Sequence, residues 1–283
     1  MKSLFFELEK MEVPYKSVET IQQKDGIVVA RVICEKGSFI LKFFENREYA
    51  REIENYRILC SLHIPTLHVE AITDNALLLE DICGDSTYRL GTKKDLENPK
   101  VAVQAAKWYR RLHEEGYRYL EKNRDVALYD ENDVITPENI EGIKRKTNTS
   151  MLPVWKLIED NFDLIKKLLN KIERTLTYND FYYTNLAVLK DGTSAIMFDY
   201  NLLGKGYAYA DIRNVCSALS EEAGKAFCEE YGELDEMEVM LDGVASVLVT
   251  LQLACQKEQF PFWAKGALAE LSSGYAKKVE RLL

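Results

Sequence analysis

Thr177-Tyr178-Asn179-Asp180-Phe181-Tyr182-Tyr183-Thr184-Asn185, followed downstream by Phe198-Asp199-Tyr200, is the stretch whose reading decides the fold. Asp180 is followed five residues later by Asn185, then by an apolar run from Leu186 to Leu189. A turn cluster, Lys190-Asp191-Gly192, leads into a second apolar run that ends at Asp199. Two short strands joined by a turn form a hairpin, and a hairpin brings its entrance and its exit to one end. Asn185 stands at the entrance and Asp199 at the exit. Phosphoryl transfer needs a carboxylate to orient the attacking hydroxyl, and an amide and a second carboxylate to hold Mg²⁺ on nucleotide phosphates. The order therefore points to a kinase-type active site, with Asp180 as catalytic group and Asn185 and Asp199 as metal ligands.

The same residues resemble a known family. Tyr178-Asn179-Asp180-Phe181, three residues, then Thr184-Asn185 is similar to the H-[GN]-D-(four residues)-N catalytic loop of aminoglycoside phosphotransferases and choline kinases. Ile196-Met197-Phe198-Asp199-Tyr200 resembles their I-D-[WYF] strand end, and Asp211-Ile212 their D-[LI]-A helix start. Tyr178 departs from the pattern, standing where the family usually has a His that scaffolds the loop. The resemblance runs from about Ile27 to Leu219. It implies an α+β, two-lobed, protein-kinase-like fold, with a small N-terminal antiparallel β-sheet lobe carrying one helix and a larger, mainly helical C-terminal lobe. The expected boundary puts residues 1–82 in the nucleotide-binding lobe and 83–283 in the lobe with the catalytic loop and substrate pocket. Ala76 to Ile82 is similar to the family's hinge, where backbone groups meet the adenine edge, so Glu80 and Ile82 are expected at the nucleotide.

Working outward, Lys42 sits in an apolar strand, Phe39-Ile40-Leu41-Lys42-Phe43-Phe44. Burying a lysine there is costly unless an anion answers it. The third strand of the N-terminal sheet is where kinase-like enzymes keep the lysine that grips the α and β phosphates. The following helical stretch, 46–62, offers Glu52 and Glu54, about 200° apart around the axis. Tyr49, Tyr56, Leu59 and Leu62 share the face of Glu52, whereas Arg51, Arg57 and Ser61 surround Glu54. Glu52 is the expected partner of Lys42, and the family's E-(six residues)-L pattern, Glu52 to Leu59, agrees.

The remaining elements are read from periodicity and turn chemistry. Residues 3–12 form a short amphipathic helix, and strands are expected near Ser17–Gln22, Ile27–Cys34 and Ser38–Phe44. Gln22 to Gly26 would be a loop over the phosphates. Two further strands, Leu67–Thr73 and Ala76–Glu80, follow, and Cys83-Gly84-Asp85-Ser86 breaks the pattern. A helix from Pro99 to Glu115 is expected to stop at Gly116, with residues 117–150 a long connection of little regular structure. Trp155, Ile158, Phe162, Ile165, Leu169 and Ile172 predict one helix. Further helices are expected at 209–219, 221–231, 235–256 and 262–282, with Asp211 a structural cap or loop-holder.

Composition narrows the classes. With 283 residues, 47% of them apolar, the chain can bury a substantial core. A net charge of −9, with no basic cluster longer than three residues, disfavours nucleic acid. Six cysteines without a C-x-x-C pair, and only three histidines, read as reduced thiols and not a zinc site. The charged N-terminus and the absence of a membrane-length apolar run point to a cytoplasmic protein without membrane contact. Oligomeric state is not encoded legibly.

The expected function is transfer of the γ-phosphoryl group of ATP, with Mg²⁺, to a hydroxyl of a small metabolite or an aminoglycoside- or choline-like acceptor. Phe181, Tyr182, Tyr183 and Tyr200, with Glu229, Glu230, Glu233, Asp235, Glu236 and Glu238, could surround an amine, or be core and a solvated helix face, the reading preferred here. The alternative is a catalytically weak or inactive kinase-like scaffold, a pseudokinase or coat-type structural protein. A protein kinase proper is disfavoured because Asp199-Tyr200-Asn201 replaces D-F-G and no A-P-E segment follows.

Overall fold

In the computed structural model, residues 2–83 and 87–283 are described. The Gly84-Asp85-Ser86 part of the expected break lies outside them. The elements run α1 (Lys2–Lys10), β1 (Ser17–Lys24), β2 (Ile27–Cys34), β3 (Gly37–Phe44), α2 (Arg51–Ser61), β4 (Val69–Ile72), β5 (Ala76–Glu80), β6 (Tyr88–Leu90), α3 (Pro99–Lys122). Then come α4 (Pro137–Lys146), α5 (Pro153–Asp160), α6 (Phe162–Lys171), β7 (Thr175–Thr177), β8 (Leu186–Leu189), β9 (Ala195–Met197) and β10 (Gly204–Gly206). The chain closes with α7 (Ala208–Ala218), α8 (Glu221–Tyr231), α9 (Glu236–Cys255), α10 (Lys265–Ser273) and α11 (Tyr275–Leu282). Contacts divide it into two compact units. The first is Met1–Glu115, Tyr178–Leu203 and Asn214–Gly232; the second is Gly116–Thr177, Gly204–Arg213 and Glu233–Leu283.

The first unit is built on an antiparallel sheet of order β1-β2-β3-β5-β4. Alternation along the central strands sends Val28, Ala30, Val32, Leu41, Phe43 and Leu78 to one face, where Leu4 and Leu8 of α1 cover them. Lys42, between Leu41 and Phe43, therefore projects to the other face. β1 and β2 run to Lys24 and from Ile27, so the expected loop of Gln22 to Gly26 contracts to a two-residue turn. Asp25 and Gly26 both take positive φ, 53° and 77°, the signature of a type I′ hairpin. The first unit also holds a three-stranded sheet, β6-β8-β9. β6 is not among the strands expected from the sequence.

The second unit packs around α9, whose apolar residues face inward on most sides. Trp155, Ile158, Ile165 and Leu169 of α5 and α6 join Leu241, Val244, Leu248 and Leu251 in one core. Among the described residues α9 is the one helix long and apolar enough to cross a membrane, but 61% of its apolar window is buried in the protein.

Several expectations change. Gly116 does not stop α3, which runs on to Lys122. A Cβ there would stand 2.4 Å from Thr175 Oγ1 and 2.5 Å from Leu176 N, so the glycine allows a close approach of helix to strand. Residues 117–150 are largely ordered: α4 starts from Thr136, whose hydroxyl accepts from Asn139 N at 3.2 Å, with Pro137 in its first turn. The long helix expected through Trp155 and Ile172 is broken at Asn161 into α5 and α6, and the last one is broken at Gly274.

Candidate active site

β3 delivers Lys42 and α2 delivers Glu52. Lys42 Nζ lies 2.8 Å from Glu52 Oε1, 2.6 Å from Oε2 and 3.0 Å from Asp199 Oδ1. Glu52 is fully buried and Lys42 nearly so. Glu54 lies on the solvated side of α2 and meets Arg57 at 3.2 Å. Burial opposes the charge on Lys42, but the carboxylates of Glu52 and Asp199 outweigh it and raise its pKa. Burial pushes Glu52 up to about 7 against the pull of Lys42. With both carboxylate oxygens bonded to the ammonium, and Oε1 also accepting from Tyr200 N at 3.2 Å, the ionised pair is the form the geometry supports.

The second cluster is set by the loop and hairpin. Asn179 and Asp199 both take left-handed backbone, φ 64° and 63°, a conformation that Asn and Asp tolerate better than most residues. Asn179 Nδ2 donates to Leu202 O at 3.0 Å. Asn185 Nδ2 donates to Asp180 O at 3.2 Å and Oδ2 at 3.0 Å, which leaves the Asn185 amide oxygen as its remaining acceptor. Phe198 N donates to Asn185 O at 3.0 Å, so the hairpin seats Asn185 beside the residue before Asp199. The turn at its far end uses Gly192 at φ 76°.

Tyr178, at the position where the resemblance leads one to expect a histidine, reaches across the site. Its ring is fully buried, packed edge-on to Trp108 and Tyr200, and its hydroxyl donates to the Phe198 carbonyl. Gly91, which sequence reading passed over, also shapes the loop. A Cβ there would meet Tyr183 O at 2.5 Å, and Gly91 N donates to Leu186 O at 2.6 Å.

Burial, then the neighbouring charge of Asp199, raises Asp180 to about 6; the Asn185 amide and Lys42 pull the other way. Two carboxylates that feel each other's charge, with an amide oxygen beside them, form a hard oxygen set suited to Mg²⁺. Among the described residues no three His, Cys, Asp or Glu gather as a metal set. The third oxygen would come from Asn185. A cavity of about 240 Å³ opens by the β1–β2 turn, lined by Lys24, Asp25, Val29, Lys42, Asp199 and Asn201. A roomier one, about 590 Å³, belongs to the second unit and is lined by Arg213, Asp242 and Lys278. Volume does not single out the cavity with Lys42 and Asp199, which is the smaller of the two.

The expected hinge residues lie along the same sheet. β5 pairs with β3 in the register Lys42↔Leu77 through Phe39↔Glu80, so Glu80 is roughly 10 Å along the strand from Lys42. Its side chain accepts from His68 N at 3.0 Å, and Ile82 is buried. Asp81 between them, which sequence reading missed, is tied to Arg31 Nε at 2.6 Å, Ser38 Oγ at 2.7 Å and Cys83 N at 3.0 Å. Of the expected site residues, Lys42, Glu52 and Asp199 meet directly, Asp180 and Asn185 meet each other, and Glu80 and Ile82 stand apart.

The acids weighed as a solvated helix face divide. Glu229 is exposed, and Glu230 pairs with Arg110 at 3.2 Å. Asp235 caps α9, and Glu238 is buried, accepting from Tyr209 N at 2.9 Å. Asp211 is buried in the first turn of α7.

The sequence profile of the phosphotransferase enzyme family matches residues 27–245, well over half of the chain. The chain belongs to this family. It is a phosphotransferase, and the match runs past Leu219 into α9. No curated protein matches it. Among solved structures, it is similar to the choline kinase LicA from Streptococcus pneumoniae, at 13% identity and a TM-score of 0.62, covering 98% of this chain and 99% of that one. It is similar also to the macrolide 2′-phosphotransferase MphH from Brachybacterium faecium, at 11% identity and 0.61, covering 97% and 99%. A spectinomycin phosphotransferase in complex with ADP and its drug matches at 12% and 0.60, over 98% and 97%. These likenesses establish the fold, α+β and kinase-like, with a small antiparallel sheet toward the N-terminus and a mostly helical remainder.

Proposed function

We propose that the protein transfers the γ-phosphoryl group of ATP, in a Mg²⁺-dependent reaction, to a hydroxyl of a small molecule. The observation that carries this is the meeting of Lys42, Glu52 and Asp199 next to the Asp180–Asn185 pair. The oxygens of Asn185 and Asp199 would hold Mg²⁺, which would supply positive charge to the phosphate oxygens. Lys42, fixed by Glu52, neutralises phosphate charge from the sheet side. Asp180 orients the acceptor hydroxyl and takes its proton on a carboxylate oxygen as the new phosphorus–oxygen bond forms and the γ-phosphorus bond to the bridging oxygen breaks, releasing ADP. Its pKa near 6 leaves it mostly ionised at neutral pH and basic enough for the role. Rate enhancement would come from positioning and electrostatics.

The named relatives act on choline, a macrolide and spectinomycin, so a hydroxylated amine or a glycosylated antibiotic is the acceptor class to try first. The intact Asp180, Asn185 and Asp199 give no support to the inactive-scaffold alternative. The test is acceptor-dependent ADP release across choline, ethanolamine, aminoglycosides, macrolides and small amino alcohols. Release with one acceptor class supports the reading; no release with any of them, alongside no nucleotide binding, contradicts it.

A further inference from the structure

We propose that Asn55 is a positioning residue: with Arg51, it holds the backbone after Asp199 so that this carboxylate faces the metal site. The inference rests on the reading of Asp199 as a metal ligand given above. Arg51, Asn55, Glu52 and Tyr56 fall in that angular order around α2, within an arc of about 140° at 100° per residue. Each meets a different part of the turn that follows Asp199. Glu52 Oε1 accepts from Tyr200 N at 3.2 Å, and Asn55 Nδ2 donates to Tyr200 O at 2.7 Å. Arg51 Nε donates to Asn201 O at 2.8 Å. The Tyr56 ring stands edge-on to Tyr200 with centroids 4.8 Å apart.

Such a grip answers a specific need. Asp199 holds left-handed backbone, φ 63° and ψ 72°, which Asp tolerates better than most residues but which still costs free energy that the surroundings must offset. The backbone N–H and C=O of Tyr200 both bond to side chains of α2, so the turn cannot relax without breaking bonds to the helix. Asn55 is buried, at 3% exposure, and its side chain donates to Tyr200 alone among the described residues. A packing residue at this spot would be apolar. A buried amide is tolerated because the Tyr200 carbonyl satisfies it. One helix thereby fixes both the lysine that grips phosphate, through Glu52, and the carboxylate that binds metal, through Asn55 and Arg51.

The test is calorimetric titration of ADP into the full-length wild type and Asn55→Leu, each with and without Mg²⁺. The metal-free affinity should stay within about twofold of wild type, while the gain on adding Mg²⁺ should shrink about tenfold, the scale of one lost hydrogen bond to a buried carbonyl. An undiminished Mg²⁺ gain, or equal weakening in both conditions, would overturn the proposal, since a merely structural role affects both alike. A wild type that gains nothing from Mg²⁺ would remove the functional reading and this inference with it. Should Asn55→Leu not fold, Arg51→Ala, at a half-buried helix edge, carries the test. About a threefold smaller gain is expected, and an unchanged gain counts against the proposal.

Discussion

Lys42–Glu52 and Asp180–Asp199 are charged pairs in one compact unit, yet they solve opposite problems. In the first, a buried cation and a buried anion meet at 2.6 Å, with further hydrogen bonds on the carboxylate. It is electrostatically complete and ties strand to helix. In the second, two carboxylates burden each other, so that Asp180 is raised to about 6 and Asp199 leans on Lys42 with its side chain 40% exposed. That pair gains most from an added cation. The difference teaches which pair carries fold and which carries chemistry. Removing a member of the complete pair should damage stability first; removing a member of the incomplete one should damage turnover or metal affinity first.

The largest effect falls on turnover. Asp180→Asn should lower it by roughly 10²–10⁴-fold, the usual worth of a positioned acid–base group, with ADP affinity nearly unchanged. Acceptor-dependent ADP release and calorimetry measure the two separately, and undiminished turnover would erase the distinction between the pairs.

Next in size is stability. Glu52→Leu leaves the Lys42 ammonium buried against a single partly exposed carboxylate, and should cost about 3–5 kcal/mol in urea unfolding. The double variant Lys42→Met/Glu52→Leu should recover most of that loss while remaining inactive, because an apolar pair replaces an ion pair at little cost. Glu54→Ala, on the solvated side of α2, should stay within about 0.5 kcal/mol of wild type. A double variant as unstable as Glu52→Leu would mean that the pair is not what holds the helix.

The smallest effect is a titration. The Asp180 carboxyl, followed by carbon NMR in the metal-free protein, should titrate near 6, and lower in Asp199→Asn, because removing a neighbouring negative charge eases ionisation. The sign for stability follows from the raised value. The contribution of Asp180 is present below the unfolded carboxylate value of roughly 4 and is lost as pH rises through about 6. An unchanged titration in Asp199→Asn would show that burial alone sets it.

Much of this was legible because the chemistry is local. Asp180, Asn185 and Asp199 lie within one loop and one hairpin, where spacing sets geometry, and the choice of Glu52 over Glu54 needed only helical periodicity. What escaped depends on long-range contact. Gly116 reads as a helix stop until the Leu176 backbone is seen against it, and Gly91 means nothing without the Tyr183 carbonyl. Asn55 and Asp81 are ordinary polar residues in sequence; only their own burial and their partners, Tyr200 and Arg31, mark them. The α4 region was passed over because Ile140 and Ile143 are a thin apolar stripe, although Thr136-Pro137 was a start signal in plain view.

The central claim, that Asp199 and Asn185 make a metal site for the phosphates of ATP, is tested most directly by calorimetry of a non-hydrolysable ATP analogue with and without Mg²⁺, in wild type and in Asp199→Ala. The account predicts binding to the wild type that tightens with Mg²⁺, and binding to Asp199→Ala that no longer responds to it. A wild type that binds no nucleotide, or an Asp199→Ala variant that keeps the full response to Mg²⁺, would contradict it.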